Sequence, residues 1–541
     1  MRPVPCQADS RQDSIPDIME PPSARNMRAD PVDPRPNTEA HQSLSGIVPA
    51  DDLKRKSVRG GAATVLGQGA GMALQIGTTV VLARLLSPTD YGLQSMVLTL
   101  TAFFSLFKDA GLSVATVQRE TLTHEHISTL FWINLALGAF LTVVVAASSP
   151  FLAAFYKDPR LLWITVASSS IFLFNSLSVQ HKALLDRTMR FSTSVKVDIL
   201  SATMGSAIAI VMAVLGFGYW SLICQNISLP IVGTVATWIA IPWMPGRPRW
   251  TAELRSMVRF GGTVTLNSLV VYVAYNTEKI LLGRFWGAAP LGIYTRAYQL
   301  ATLPVQQLTG AAHIVAFSVL SRMQAEAQRL QRAYLKSLSM IVSLTIPVVI
   351  STALFSDEIV MIVLGPRWVG VATVLRLLSP TVLVLALINP FSWFLNSTGR
   401  VARSLKIALL IAPVVILGVL VGLHYGPAGV AVGYSTAMLL LFVPTVAWAI
   451  YGTGITAHDY WDAIKRPLIS GVLGGVTGWL VRFALHGALS PLAMLIFGLT
   501  LSFAVYAGTL LFVMGQKEFF GDLLSHLFQR NRTLPAKSEG E

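Results

Sequence analysis

The sequence predicts an all-α polytopic membrane protein of about fourteen transmembrane helices, with two six-helix lobes around a central cavity and two extra C-terminal helices. Three observations predict it. Apolar runs, each near the ~20 residues a helix needs to cross a bilayer, follow one another from about Gly60 to Met514. The 541 residues are 53% hydrophobic and 13% charged, with a mean hydropathy of +0.59, whereas an average soluble domain carries ~25% charged residues. Lys and Arg also alternate in density from loop to loop, as they do when only one side of a membrane retains positive charge.

Residues 1–52 hold scattered prolines and charges and few large apolar side chains, so they read as a disordered cytoplasmic tail. Lys54, Arg55, Lys56 and Arg59 then precede the first apolar run. The runs fall at 61–83, 91–107, 127–149, 160–180, 195–215, 219–241, 260–282, 291–315, 336–356, 371–395, 404–424, 428–450, 468–486 and 491–514. They group as lobes 55–250 and 251–455, an appended pair 460–515 and a cytoplasmic tail 516–541. Even-numbered loops are basic: Lys182, Arg187, Arg190 and Lys196 in one, Arg247, Arg249, Arg255 and Arg259 in another. Odd-numbered loops hold only Arg84, Lys157, Arg160, Arg284 and Arg367. That asymmetry puts both termini in the cytoplasm.

Several functions are disfavoured. No connecting loop is long enough for a soluble catalytic domain. The net charge of +14 is spread over many short loops rather than gathered on one face, so nucleic acid is not an expected partner. Cys6 and Cys224 predict neither a disulfide framework nor a metal cluster. The stretch HKALLDRTMRFSTSVK (181–196) mixes apolar residues with cations and reads as an interfacial helix, or as a contact for anionic head groups. GGVTG at 474–478 lies within an apolar run, where close helix packing explains it better than phosphate binding.

An internal repeat supports the two lobes. LARLLSPTDYG (82–92) and LGRFWGAAPLG (282–292) share Leu, Arg and Gly at identical offsets, each between the end of one run and the start of the next. GFGYWSL (216–222) and YGPAGVAVG (425–433) form a second pairing, each opening the sixth run of its lobe. Transporters built from repeats bind cargo near mid-membrane at the repeat interface and rock between two states.

The segments LARLLSPTDYG, KALLDRTMRF (182–191) and GYWSL (218–222), with the run RFGGTVTLNSLVVYVAYNTEKILLGRFWGAAPLGIYTRAYQL (259–300), carry a resemblance. Over about 55–515 the chain resembles the polysaccharide-transporter branch of the multidrug/oligosaccharidyl-lipid/polysaccharide flippase superfamily. It departs from the pattern at Glu278, where Asp is usual, and at Ser318, where Pro is usual. The resemblance implies a non-enzymatic flippase of the bacterial inner membrane. Its cargo would be an undecaprenyl-diphosphate-linked oligosaccharide for lipopolysaccharide, exopolysaccharide or capsule assembly. Membrane lipids, a polysaccharide polymerase and export machinery are the other implied partners. A drug/cation antiporter of the same superfamily, or a membrane glycan polymerase or ligase, are the alternatives.

Charges within the apolar runs are functional candidates because inserting them costs ~2.5–3.5 kcal/mol each. For a diphosphate cargo the candidate cavity cations are Arg84, Arg284, Arg296, Arg376 and Lys279, Arg being suited to paired contacts with phosphate oxygens. Arg84 and Arg284 hold equivalent repeat positions, so they either face a shared cavity or snorkel to the membrane surface. Glu278 with Asn276 is the candidate site for a coupling ion, H+ or Na+, or else Glu278 neutralises a cavity cation. Lys279 either holds phosphate or pairs with an acid. Arg482, in the appended pair, reads as structural or as a lipid contact. No cofactor is expected.

Overall fold

The computed structural model describes residues 50–107, 124–248, 272, 276–322, 327–398, 400–485 and 487–517. Contacts divide the chain into Met1–Ala50, which lies outside the described residues apart from Ala50, and Asp51–Glu541. The second unit is built of helices. In the first half these are α1 (Ala50–Leu85), α2 (Pro88–Ser105), α3 (His124–Ala147), α4 (Ser149–Tyr156), α5 (Arg160–Arg187), α6 (Phe191–Val214) and α7 (Tyr219–Ala240). The second half holds α8 (Thr277–Trp286), α9 (Ala288–Arg322), α10 (Ala327–Leu354), α11 (Ser356–Val363), α12 (Val369–Ser397), α13 (Val401–Gly422) and α14 (Gly426–Ile450). The pair α15 (Ala457–Ala484) and α16 (Pro491–Gly508) follows.

Every expected run except 260–282 coincides with one of these helices; of that run, 260–271 and 273–275 lie outside the described residues. The expected tail 1–52 is likewise outside them almost throughout. Among the described residues, ten helical stretches are long and apolar enough to cross a membrane, one of which, Lys406–Ile450, holds both α13 and α14. The chain is a multi-pass membrane protein. Its exterior agrees: Ile239, Leu440 and Phe483 are 77%, 69% and 73% exposed, a surface that lipid solvates and water does not. α2 and α9 are not among the ten. α2 carries Thr89, Asp90, Gln94 and Ser95, and α9 carries Arg296, Gln299, Gln306 and Gln307. Both border the polar cavity described below, which accounts for their polarity.

Local sequence explains where helices begin. Ser87 caps α2 through a reciprocal box with Asp90, with Pro88 at the first helical position. Thr456 and Asp459 cap α15 in the same way. Gly218 and Gly426 have φ of 54° and 68°, the left-handed region glycine tolerates, as α7 and α14 start. These are the two glycine turns of the second sequence pairing.

Two departures concern loops. The loops between the third and fourth and between the ninth and tenth expected runs hold the short helices α4 and α11. The stretch 181–196 is not a separate interfacial helix: α5 runs on to Arg187, the chain turns at Met189 with φ 53°, and α6 starts at Phe191. Ala183, Leu184 and Leu185 are buried, so this end of α5 lies within the helical assembly rather than on its surface.

In the first half α3 packs on α5, α5 on α7 and α7 on α6. In the second, α9 packs on α12, α12 on α14 and α14 on α13, while α10 joins α15, which joins α16. α13 and α14 approach at Gly418 and Gly422 against Gly433 and Gly429, where any Cβ would overlap the facing backbone. Gly474 and Gly478 of the GGVTG stretch likewise pack against Ser502 of α16. The main contact between the halves is α2 on α9.

Candidate functional site

The repeated motif packs against its own copy. Gly92 of α2 lies against the Ala288 carbonyl, and Gly292 of α9 against the Pro88 carbonyl, each so close that a Cβ would overlap it. Ala288 and Pro88 are themselves 200 positions apart, as are Ser95 and Thr295, whose hydroxyl oxygens meet at 3.1 Å. The two halves therefore meet about a local pseudo-twofold axis between α2 and α9.

The helix ends beside this crossing are covered by short helices exchanged between the halves. Trp368, just after α11, donates its indole N–H to the Ala83 carbonyl at 2.8 Å. In the mirrored position, Gly283 packs against the Tyr156 ring of α4. Arg84 and Arg284 belong to this exchange. Arg84 Nη2 donates to the Ile362 carbonyl of α11 at 2.9 Å. The Arg284 guanidinium lies 5.6 Å from the centre of the Phe155 ring of α4. The expected shared cavity between these two arginines is not where they sit. Leu82 lines the cavity, and Arg84, two residues on, points about 200° around the helix from it.

The cavity lies inside the first half and is closed by α9. Two adjoining spaces of about 530 and 600 Å³ share Leu98, Asn226 and Leu229. The first is bordered by α1, α2, α6, α7 and α9, the second by α2, α5, α6 and α7. Of the predicted cations, Arg296 alone lines either space among the described residues. Its guanidinium stacks 3.7 Å from the centre of the Tyr91 ring and donates to Gln299 Oε1. Both contacts fix its orientation. Lys182 and Asp198 border the second space and form an ion pair at 2.9 Å.

Arg376 is committed elsewhere. It donates to Ser356 Oγ at 3.0 Å and to Asp357 Oδ2 at 2.6 Å. Arg482 of α15 binds the same Asp357 and the Leu354 carbonyl, and faces Glu358 Oε1 at 3.4 Å. This network ties the appended pair to α11, and both Arg482 and Arg376 belong to it rather than to the cavity.

Asn276, Glu278 and Lys279 form a separate cluster at the start of α8. Glu278 is 2% exposed and its Oε1 accepts no hydrogen bond. Lys279 Nζ is 3.8 Å from that oxygen, donates to Asn276 Oδ1 at 2.7 Å and lies 5.2 Å from the centre of the Tyr298 ring. Asn276 thus spends its oxygen on Lys279 rather than joining Glu278 around an ion. No group of His, Cys, Asp or Glu among the described residues is arranged to hold a metal.

Gln94, Gln225 and Gln299 also line the first space, and the charge-led reading of the sequence passed over them. The signal that would have found them is helical spacing within an apolar run. Tyr91, Gln94, Ser95 and Leu98 lie three or four apart on α2, as do Gln75, Thr78, Thr79 and Leu82 on α1.

Fold and cavity together define a polytopic helical membrane protein with a polar cavity inside its first half, bordered on one side by α9 of the second. Residues 81–373, more than half of the chain, match the family described as polysaccharide biosynthesis protein, and the chain belongs to that family. It is 28% identical to the teichuronic acid biosynthesis protein TuaB of Bacillus subtilis (strain 168), over 60% of this chain and 68% of that one. It is 24% identical to the succinoglycan biosynthesis transport protein ExoT of Rhizobium meliloti (strain 1021), over 87% of this chain and 96% of that one. Its fold is similar to that of the lipid II flippase MurJ in an inward closed conformation, with a TM-score of 0.67 at 13% identity, covering 86% of this chain and all of that one.

Proposed function

We propose that this protein moves a lipid-diphosphate-linked oligosaccharide repeat unit across the cytoplasmic membrane by alternating access at the α2–α9 seam. The observation that carries the reading is the polar cavity, closed by α9 and holding Arg296, in an otherwise apolar helical assembly. Relatives named for teichuronic acid biosynthesis and succinoglycan transport, and the likeness to a lipid II flippase, support it. The undecaprenyl carrier and assembly into lipopolysaccharide, exopolysaccharide or capsule are the chemistry this reading expects. The Lys/Arg alternation supports an inner-membrane topology with both termini cytoplasmic. On this reading the protein is a transporter and catalyses no bond change.

For coupling we favour H+ over Na+ at Glu278. A sodium ion needs several oxygen ligands, and the Asn276 oxygen is already held by Lys279. A proton needs only Oε1 of Glu278, which accepts no hydrogen bond.

The test is a deletion strain. Lipid-linked repeat units should accumulate on the cytoplasmic face of the membrane, and the intact gene should clear them. Normal surface polysaccharide with lost drug resistance would favour an antiporter instead. Accumulation on the periplasmic face would favour a polymerase or ligase.

A further inference from the structure

Uncharged amides and hydroxyls, rather than charges, make up most of the polar lining of the cavity. Gln75, Gln94, Gln225, Asn226 and Gln299 surround the first space, and among the described residues Arg296 is the single charged side chain in its lining. Asn226 reaches both spaces, and its Nδ2 is buried without a hydrogen-bond partner. Gln94 is only 7% exposed. At the far end Lys182 and Asp198 satisfy each other.

A side-chain amide offers both a donor and an acceptor, as does each hydroxyl of a sugar ring. A string of uronic acids or phosphates would need several cations here, since charge brought into a low-dielectric site must be paired. One fixed guanidinium meets one anionic group. Each space lies within the ~300–1,000 Å³ usual for small-molecule sites.

We propose that the amide-lined space binds the uncharged sugar rings of the cargo, with Asn226 and Gln225 determining selectivity and Arg296 taking a single anionic group. The proposal rests on the flippase reading and names the part of the cargo that this half of the protein recognises. It implies a repeat unit whose bound sugars are neutral and rich in hydroxyls.

The test uses the full-length protein in lipid nanodiscs and three probes: undecaprenyl diphosphate, the same lipid bearing an N-acetylglucosamine disaccharide, and the same lipid bearing a glucuronic acid disaccharide. Wild type should bind the neutral-sugar lipid at least about tenfold tighter than the sugar-free lipid, one or two net hydrogen bonds' worth, and tighter than the acidic one. Gln225→Leu/Asn226→Leu should erase the sugar-dependent gain, so that the neutral-sugar and sugar-free lipids bind alike. Arg296→Gln should weaken all three. Asn226→Ser with Gln225→Ser supplies the same comparison if the leucine variant does not fold. Equal wild-type binding of the sugar-free and sugar-bearing lipids overturns the proposal while sparing the flippase reading. An equal loss for all probes in the amide variants also overturns it. If wild type binds none of the three, the flippase reading falls and the proposal falls with it.

Discussion

Glu278 and Lys279 are neighbours on one turn of α8, where side chains diverge by about 100°, yet their charged ends come within 3.8 Å because Lys279 folds back towards Asn276. Removing one charge of a buried pair strands the other, at ~3–5 kcal/mol, while removing both is often nearly neutral. Lys279→Met should therefore destabilise the protein by about 3 kcal/mol, the lower end because Lys279 is partly exposed. Glu278→Gln/Lys279→Met should recover most of that loss. Thermal unfolding of the purified protein measures both; a Lys279→Met variant as stable as wild type would mean that Glu278 needs no cation. At this scale the sequence was partly legible. The cost of intramembrane charge singled out Arg296, Glu278 and Lys279, but not their partners. Arg84 and Arg376 are bound to atoms more than 270 and about twenty positions away, respectively, distances at which residue type carries no information.

Among the elements, α2 and α9 show what the repeated glycines do. Gly92 and Gly292 admit the facing carbonyls of Ala288 and Pro88, so Gly92→Ala must push the two helices apart. Overpacking costs ~1–3 kcal/mol when side chains can yield, and a backbone carbonyl yields less, so the expected loss is at the top of that range or beyond. Gly77→Ala on α1, where a Cβ would meet nothing within 4 Å, should be neutral or mildly stabilising, as expected for Ala over Gly in a helix. Size-exclusion profiles and unfolding temperatures of the two variants make the comparison. The repeat itself was visible in the letters, because glycine is the only residue that permits such an approach. The short helices α4 and α11 were not, since stretches of eight residues carry too little pattern to separate helix from loop.

α11 makes a second element-scale prediction. Burial alone would raise the Asp357 carboxyl, but the hydrogen bonds and charges of Arg482 and Arg376 outweigh it and hold the group below the ordinary carboxylate range. A carboxylate depressed in the folded state adds stability that is full above the unfolded value, near pH ~4, and is lost as pH falls through the lower folded value. Asp357→Asn should thus cost stability at neutral pH, by at most about 1 kcal/mol because half-exposed pairs are screened. The gap from wild type should close on acidification below pH ~4. A gap that persists at acid pH would mean the loss comes from packing and not from charge.

For the molecule as a whole, the arrangement places a closed end and a cavity in sequence along the seam. At the closed end α4 and α11 each cover a helix end of the other half, and α2 crosses α9. Beneath it, Ser95 and Thr295 mark where the crossing passes into the cavity that both residues line. On the alternating-access reading this crossing is the boundary that opens, because α2 and α9 both line the cavity beside Arg296. The hydroxyl oxygens of Ser95 and Thr295 are 3.1 Å apart, so Ser95→Cys/Thr295→Cys, in a background lacking Cys6 and Cys224, should cross-link under mild oxidation. The cross-linked protein should remain folded and stop exporting lipid-linked repeat units, and reduction should restore export. Each single cysteine should transport with or without oxidant, which separates the lock from damage to the cavity wall. Undiminished export by fully cross-linked protein would show that α2 and α9 stay together through the cycle, and the moving boundary would then have to lie elsewhere in the helical assembly.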